Sequence, residues 1–324
     1  MSTPTVAAFV HVHYPEIWAE MQETLAQRIG VPFHLVLTSS HPESEVVRPS
    51  APNLLSTRFV QTENRGRDIR PFLAALHETP DFELGLKLHT KKSPQRMDGD
   101  VWRAAVLDAL VPSPLGTAEL VRRMHVDPRI GFVSPFPFGL SVKPWVLVNF
   151  PGMARVMQGL GHELQDADLE DAIFAAGSMF WFRRPALAAF AGDAILDLFE
   201  PEEAQLDGTT AHVMERLFPV EARRQGFVTL STAALLEAEP GMPLPDLLAL
   251  ARQHADIPTT FFPAPYIAAV PPGSPLPDLT LPPPPPPPAP PPPPPPPPTG
   301  LQAVYHRLPL GLRVAVRRLL GRRV

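Results

Sequence analysis

Two polar runs decide how this chain reads: Glu63-Asn64-Arg65-Gly66-Arg67-Asp68-Ile69-Arg70 and, further on, Lys87-Leu88-His89-Thr90-Lys91-Lys92-Ser93. Each begins where a hydrophobic strand should end. A parallel sheet displays its ligand-binding loops at the carboxyl edge of its strands. Two such loops on neighbouring strands would together line a polar, cationic cleft, and charge of that sign suits a phosphate-bearing ligand.

Outward from these runs, strand and helix patterns alternate. Residues 6–12 read as a buried, valine-rich strand between Pro4 and Pro15. Pro15 suits the first turn of a helix, where its missing N–H costs nothing. Ile17, Met21, Leu25 and Ile29 give that helix one apolar face, and Gly30 closes it. Further strands are expected over 33–38, 57–62, 84–88 and 130–133, and helices over 69–77, 102–111 and 117–125. The proline-rich passage 135–151 reads as an irregular excursion over the working edge of the sheet. Residues 172–183 return to strand-like hydrophobicity, and 209–225 form a helix with Val213, Leu217 and Val220 on one side. This rhythm implies an α/β fold, a mostly parallel sheet with helices on both faces.

Composition excludes several classes. A formal net charge of -5 argues against bulk electrostatic binding, so no nucleic-acid partner is expected. Without cysteine there is no disulfide framework, thiolate zinc site or cysteine nucleophile. The amino terminus lacks a secretory-signal pattern and no apolar run is long enough to span a bilayer, so a soluble or peripheral cytoplasmic protein is expected. Of the 46 prolines, those at 282–288 and 290–298 form a tract expected to be a stiff, disordered polyproline linker, or else a ligand for proline-binding domains. Beyond it, 301–324 carries Arg307, Arg313, Arg317, Arg318, Arg322 and Arg323 and no acid. Leu312, Val316, Leu319 and Leu320 fall near helical spacing, so a short basic C-terminal helix could lie on an anionic membrane or dock on an acidic partner. The organisation read from this is a body at 1–275, a linker at 276–300 and a basic amphipathic tail at 301–324.

The polar loops suggest chemistry. Gly66 permits a positive φ and close approach of a ligand beside Asn64, Arg65 and Arg67. Asp68 stands where a helix N-cap would. His89, Thr90, Lys91 and Lys92 supply donors and point charges for phosphate oxygens. Neither a Walker-type loop nor a double-glycine dinucleotide fingerprint is present. What remains is a diphosphate leaving group held electrostatically, as a sugar-nucleotide transferase requires. His11, His13 and Tyr14 follow the first strand and offer an aromatic face to a nucleobase, the plain alternative being satisfied structural side chains. Gly177 and Ser178 could shape an acceptor pocket, while Phe180, Trp181 and Phe182 alternate into the core. Trp102 and Arg103 read as a helix start beneath the Lys91 loop, and Trp145 and Phe150 as candidates for stacking on an acceptor sugar.

Five segments taken in order carry a resemblance. They are His11-Val12-His13-Tyr14-Pro15-Glu16, the 63–69 run, the 87–93 run with Gly99 and Trp102-Arg103, Gly177-Ser178-Met179-Phe180-Trp181-Phe182-Arg183, and Leu206-Asp207-Gly208-Thr209 with His212, Glu215 and Arg216. Over roughly residues 6–235 the chain resembles the rhamnan synthesis protein F family. The resemblance implies a GT-A-like, Rossmann-like glycosyltransferase of cell-surface polysaccharide assembly. Its donor would be a nucleotide diphosphate sugar, dTDP-rhamnose in the typical case, and its acceptor a glycan or lipid-linked glycan at the inner face of the membrane.

Enzymes of that fold usually carry Asp-x-Asp at the end of the fourth strand to hold a divalent cation. Here the aligned residues are His89-Thr90-Lys91, and lysine repels a cation. The expectation is therefore transfer with no metal and no cofactor, His89 and Lys91 or Lys92 neutralising the diphosphate. His212 joins the substrate-binding set through the resemblance. Inverting transfer needs a base. By analogy with related transferases Glu215 is the first choice, Asp207 and Asp68 compete, and the bland alternative for Glu215 is a helix-surface ion pair with Arg216. A second reading of the whole chain is a non-catalytic nucleotide-sugar or carbohydrate-binding module that serves as an assembly factor.

Overall fold

β1 (Val6–His11) lies inside a seven-stranded sheet, flanked by β2 (Phe33–Ser39) and β4 (Leu84–His89), with β3 (Leu54–Gln61) at one edge. The computed structural model describes residues 4–79, 81–90, 99–203 and 207–261. Lys91, Lys92, the linker 276–300 and the tail 301–324 lie outside the described residues. Helix α1 (Pro15–Arg28) joins β1 to β2, and α2 (Ile69–His77) joins β3 to β4. After β4 come α3 (Gly99–Leu110), α4 (Pro114–Val126), β5 (Ile130–Ser134), β6 (Gly139–Ser141) and α5 (Phe150–Gly159). Then follow β7 (Ile173–Ala175), β8 (Phe180–Arg183), α6 (Asp193–Leu196), α7 (Thr210–Arg224), β9 (Val228–Ser231), α8 (Thr232–Glu237) and α9 (Leu244–Gln253).

The large sheet runs β3-β2-β1-β4-β8-β5-β9, and β6 pairs with β7 in a small antiparallel sheet. Within the large sheet, β8 runs antiparallel to both neighbours, β4 and β5, while the other pairings are parallel. The period-two alternation of the strands sorts the core onto two faces. Val6, Ala8 and Val10, with Leu84, Leu86, Leu88 and Trp181, pack with residues of α1, α3, α4, α8 and α9. Ala7 and Phe9, with Phe180 and Phe182, pack with residues of α2, α5 and α7 on the other face. Helices therefore cover both faces, as the rhythm of the sequence implied.

Four expectations need correction. Residues 172–183 are not one strand, because Gly177 (φ +87°) and Ser178 (φ +58°) are left-handed and split the segment into β7 and β8. The passage 135–151 is not wholly irregular, since it holds β6 and leads through short 3-10 turns into α5. Trp145 within it is buried in the core beside Val142 and Met153, so it presents no ring to a sugar. The strand expected over 57–62 begins earlier, at Leu54; it is an edge strand with a partly exposed, mixed pattern that hides its start. No single helix among the described residues is long and apolar enough to cross a membrane.

A candidate active site at the Gly177 turn

The chain steps outward from β1 to β2 to β3 and then returns to β4 on the opposite side of β1. Such a reversal opens a crevice at the carboxyl ends of the two diverging strands. His11 and His89 sit opposite one another there, in register at the ends of β1 and β4. Thr90 Oγ1 accepts hydrogen bonds from the amides of His13 and Tyr14, each 2.9 Å, tying the loop after β1 to the end of β4. His11 is buried, its Nδ1 3.0 Å from Thr38 Oγ1. Burial, reinforced by His89, His13 and Lys87 against the opposing pull of Asp68, lowers its pKa from 6.5 to about 3. His11 is thus a neutral core side chain. The half-buried His13 and Tyr14, packed edge to face with centroids 4.6 Å apart, are the aromatic groups at this end of β1.

Lys87 is the unexpected member. It occupies the β4 face covered by α2 and is only 1% exposed. Its ammonium donates to Asp68, to the Ser178 carbonyl (2.7 Å) and to Ser178 Oγ (2.9 Å), with the Phe72 and Phe180 rings 5.4 and 5.7 Å away. A charge there demands a counter-charge, and Asp68 provides it. Asp68 stands at the N-cap position of α2 yet makes no side-chain capping bond; its carboxylate binds Lys87 and lies 3.9 Å from His89 Nε2. Burial alone would raise the Asp68 pKa. The charges of His89 and Lys87, together with the Lys87 hydrogen bond, outweigh it and hold the carboxyl far below the usual range. A carboxylate so held accepts protons poorly near neutral pH.

The antiparallel course of β8 brings its first residues to the end of β4, where Phe180 pairs with Lys87. The Gly177–Ser178 turn that precedes it is thereby placed against His89. His89 Nε2 donates to the Gly177 carbonyl (2.8 Å), and the Gly177 N–H donates to Glu215 Oε1 (2.9 Å). Glycine is required here twice over: its φ is +87°, and a Cβ would lie 2.2 Å from the Trp102 ring. Trp102 therefore packs against Gly177. The ion pair with Arg216 that the bland alternative supposes is present, at 3.5 Å, but Glu215 is only 15% exposed and borders a small, mostly apolar cavity with Phe132, Phe180, Phe218 and Thr229.

A second cluster adjoins Arg67, itself left-handed at φ +53°. Its guanidinium lies 3.0 Å from His212 Nε2, and His212 Nδ1 lies 2.9 Å from Thr209 Oγ1, 3.4 Å from the Thr209 amide and 3.7 Å from Asp207. Burial pushes Asp207 up, but hydrogen bonds from Asn149 and Gly208 and the charges of Arg216 and His212 bring its pKa below the ordinary value. The other arginines of the run turn to the backbone. Arg65 donates to the Phe199 carbonyl (2.6 Å) and Arg70 to the Leu196 carbonyl (3.0 Å), so they staple the loop to the end of α6 and the segment after it. Asn64 is exposed. Gly66 has φ +69°, and a Cβ there would collide with Phe199 at 2.5 Å, so packing as well as turn geometry fixes this glycine. Among the described residues no group of three or more His, Asp or Glu side chains is arranged to hold a metal ion.

The two clusters thus gather residues from four of the five sequence segments, and residues 1–226 also match the profile of rhamnan synthesis protein F. The chain belongs to that family. It is also 32% identical over 229 residues to the uncharacterised protein WxcX of Xanthomonas campestris pv. campestris strain B100, and equally to WxcX of a second strain. The alignment takes in 69% of this chain and 32% of WxcX, so the chain spans about a third of the length of these relatives. Family membership points to a role in rhamnan synthesis, and hence in polysaccharide biosynthesis.

Proposed function

We propose that the protein is a GT-A-like glycosyltransferase that moves a deoxyhexose, rhamnose from dTDP-rhamnose, onto a glycan or lipid-linked glycan at the cytoplasmic face of the membrane. The observation that carries this reading is the convergence of His89, the Lys87–Asp68 pair and Glu215 on one left-handed turn at the sheet's switch point. Such a crevice is where open α/β sheets bind ligands. In this reading Arg67, His212 and the Lys91-Lys92 pair that follows Thr90 in the chain meet the negative charge that grows on the departing diphosphate. His13 and Tyr14 flank the nucleobase. With basic side chains in those places, transfer proceeds without a divalent cation.

Glu215 takes the proton of the acceptor hydroxyl as its oxygen attacks the anomeric carbon and the bond to the diphosphate breaks. Asp68 and Asp207 are held below their ordinary pKa by cations and hydrogen bonds, which disfavours them as bases; Glu215, bonded to the Gly177 amide and 3.5 Å from Arg216, is preferred for its place on the cavity beside the turn. The test is release of dTDP from dTDP-rhamnose, with and without a rhamnan acceptor. Glu215→Gln keeps an oxygen to accept from the Gly177 amide, so donor binding should persist while turnover drops about 10²- to 10⁴-fold. Turnover that survives this change puts the base elsewhere. EDTA should leave the rate unchanged, and a complete loss restored by magnesium would sink the metal-free mechanism. Binding of dTDP-rhamnose without any release would favour the assembly-factor reading instead.

A further inference from the structure

Segment 199–203 crosses the loop that carries Arg67. The Arg65 guanidinium holds the Phe199 carbonyl, Arg65 and Pro201 form an isolated antiparallel bridge, and Glu200 accepts from the Thr210 amide and hydroxyl at the start of α7. Anchored on both sides, the segment sets the Glu202 carboxylate onto Arg67. Oε1 accepts from the Arg67 backbone N–H at 2.9 Å, and Oε2 lies 3.8 Å from the guanidinium Nε. One anion thus meets a backbone amide and a guanidinium of the same residue, which is how a phosphate oxygen pair is held.

The contrast with the flanking arginines is informative. Arg65 keeps its guanidinium on main-chain carbonyls, and Arg70 holds the Leu196 carbonyl with the highly exposed Glu63 carboxylate 3.9 Å away, neither meeting a carboxylate that also takes its own backbone N–H. Arg67 instead adopts a left-handed backbone that costs a non-glycine residue energy, and such strain gathers at ligand sites. Its side chain is 36% exposed and that of Glu202 24%, so the pair is in reach of solvent. A partly solvated pair of this kind is weak, and a multiply charged diphosphate would outcompete it.

We infer that Glu202 is a built-in competitor: its carboxylate occupies the anion position at Arg67 and is exchanged for a phosphate group of a nucleoside diphosphate when ligand binds. This rests on the nucleotide-sugar reading of the same site and adds to it a residue that sets affinity and eases product release. Glu202 then holds Arg67 in its ligand-ready, left-handed conformation while the site is empty, and competes again as the diphosphate leaves.

The test is calorimetric titration of the full chain with dTDP and, separately, with inorganic pyrophosphate. Glu202→Gln should bind dTDP about three- to fivefold more tightly, the scale set by loss of a solvated pair. Arg67→Gln should bind about tenfold or more weakly, and the double variant should match Arg67→Gln alone, because Glu202 acts only through Arg67. Affinity unchanged or weakened in Glu202→Gln, or a gain that persists without Arg67, overturns the inference while leaving the nucleotide reading intact. Pyrophosphate that gains the same factor where dTDP does not bind supports the exchange but removes the nucleotide reading. Failure of every form to bind either probe overturns both.

Discussion

Replacing Lys87 with methionine isolates the buried pair beneath the site. Methionine keeps an unbranched stem against Phe72 and Phe180 but deletes the ammonium that serves Asp68 and both oxygens of Ser178. The Asp68 carboxylate, 14% exposed, is left with His89 at 3.9 Å. Stranding one member of a buried pair costs about 3–5 kcal/mol, a large part of the ~5–15 kcal/mol that holds a domain together. Asp68→Asn in the same background removes the stranded charge and should restore about 2 kcal/mol or more. The pH dependence has a definite sign. In the native protein Asp68 lies well below its ordinary 3.8, so its contribution is complete above pH ~4 and is lost as pH falls through the lower folded value. Without Lys87 the largest influence on Asp68, burial, pushes its pKa upward against the remaining charge of His89. The deficit of the variant should therefore shrink between pH 7 and pH 5, as protons relieve the stranded charge. Urea denaturation at both pH values measures each quantity. A loss under about 1 kcal/mol that neither Asp68→Asn nor acid relieves would refute the account of Lys87 as a paired, buried cation.

Two further substitutions probe the same region. His11, with a folded pKa near 3 against an ordinary 6.5, refuses a proton that the unfolded chain takes up, so its contribution is full above pH 6.5 and declines below it; His11→Asn should flatten the stability slope between pH 6 and 5 by about 1 kcal/mol per pH unit, and an unchanged slope would mean that His11 protonates in the fold. Gly177→Ala meets the Trp102 ring at 2.2 Å and a φ of +87°, so it should cost about 2–4 kcal/mol with part recovered by Trp102→Leu; a neutral result in thermal melts would show that the turn is not pinned.

The fold was largely legible because its strands are short apolar runs and its helices carry one apolar face. Residues 69–77 and the segments after Pro15 and Thr209 read correctly for that reason. The antiparallel β8 was not legible. Its residues, Phe180 to Arg183, are apolar enough for either direction, and the cue lay in Gly177-Ser178, where two consecutive left-handed residues break the strand. The site was half legible. Polar residues at strand ends announced His89, Thr90 and Arg67, but nothing local separates Arg67, which meets side chains, from Arg65, which meets carbonyls. Lys87 left a usable trace, since a lysine between Leu86 and Leu88 in a buried strand must find a nearby acid. Glu202 and Asn149 left none, because their partners are far away in the chain.

A buried ion pair is weak evidence for stability, because apolar residues of similar volume often hold a fold as well. What Lys87 adds is better sought in geometry. One ammonium bonds both Asp68, adjacent to the left-handed Arg67, and Ser178, adjacent to Gly177, and so fixes the distance between the two strained turns. Glu215 and His89 then hold opposite sides of the Gly177 residue through its N–H and its carbonyl. A diphosphate held by Arg67 and an acceptor held near Glu215 would inherit their separation from Lys87, without Lys87 touching either. The Lys87→Met, Asp68→Asn protein separates these roles. It should recover much of the lost stability, yet its two turns would no longer share a donor, so donor affinity and turnover should stay impaired in a chain that is folded.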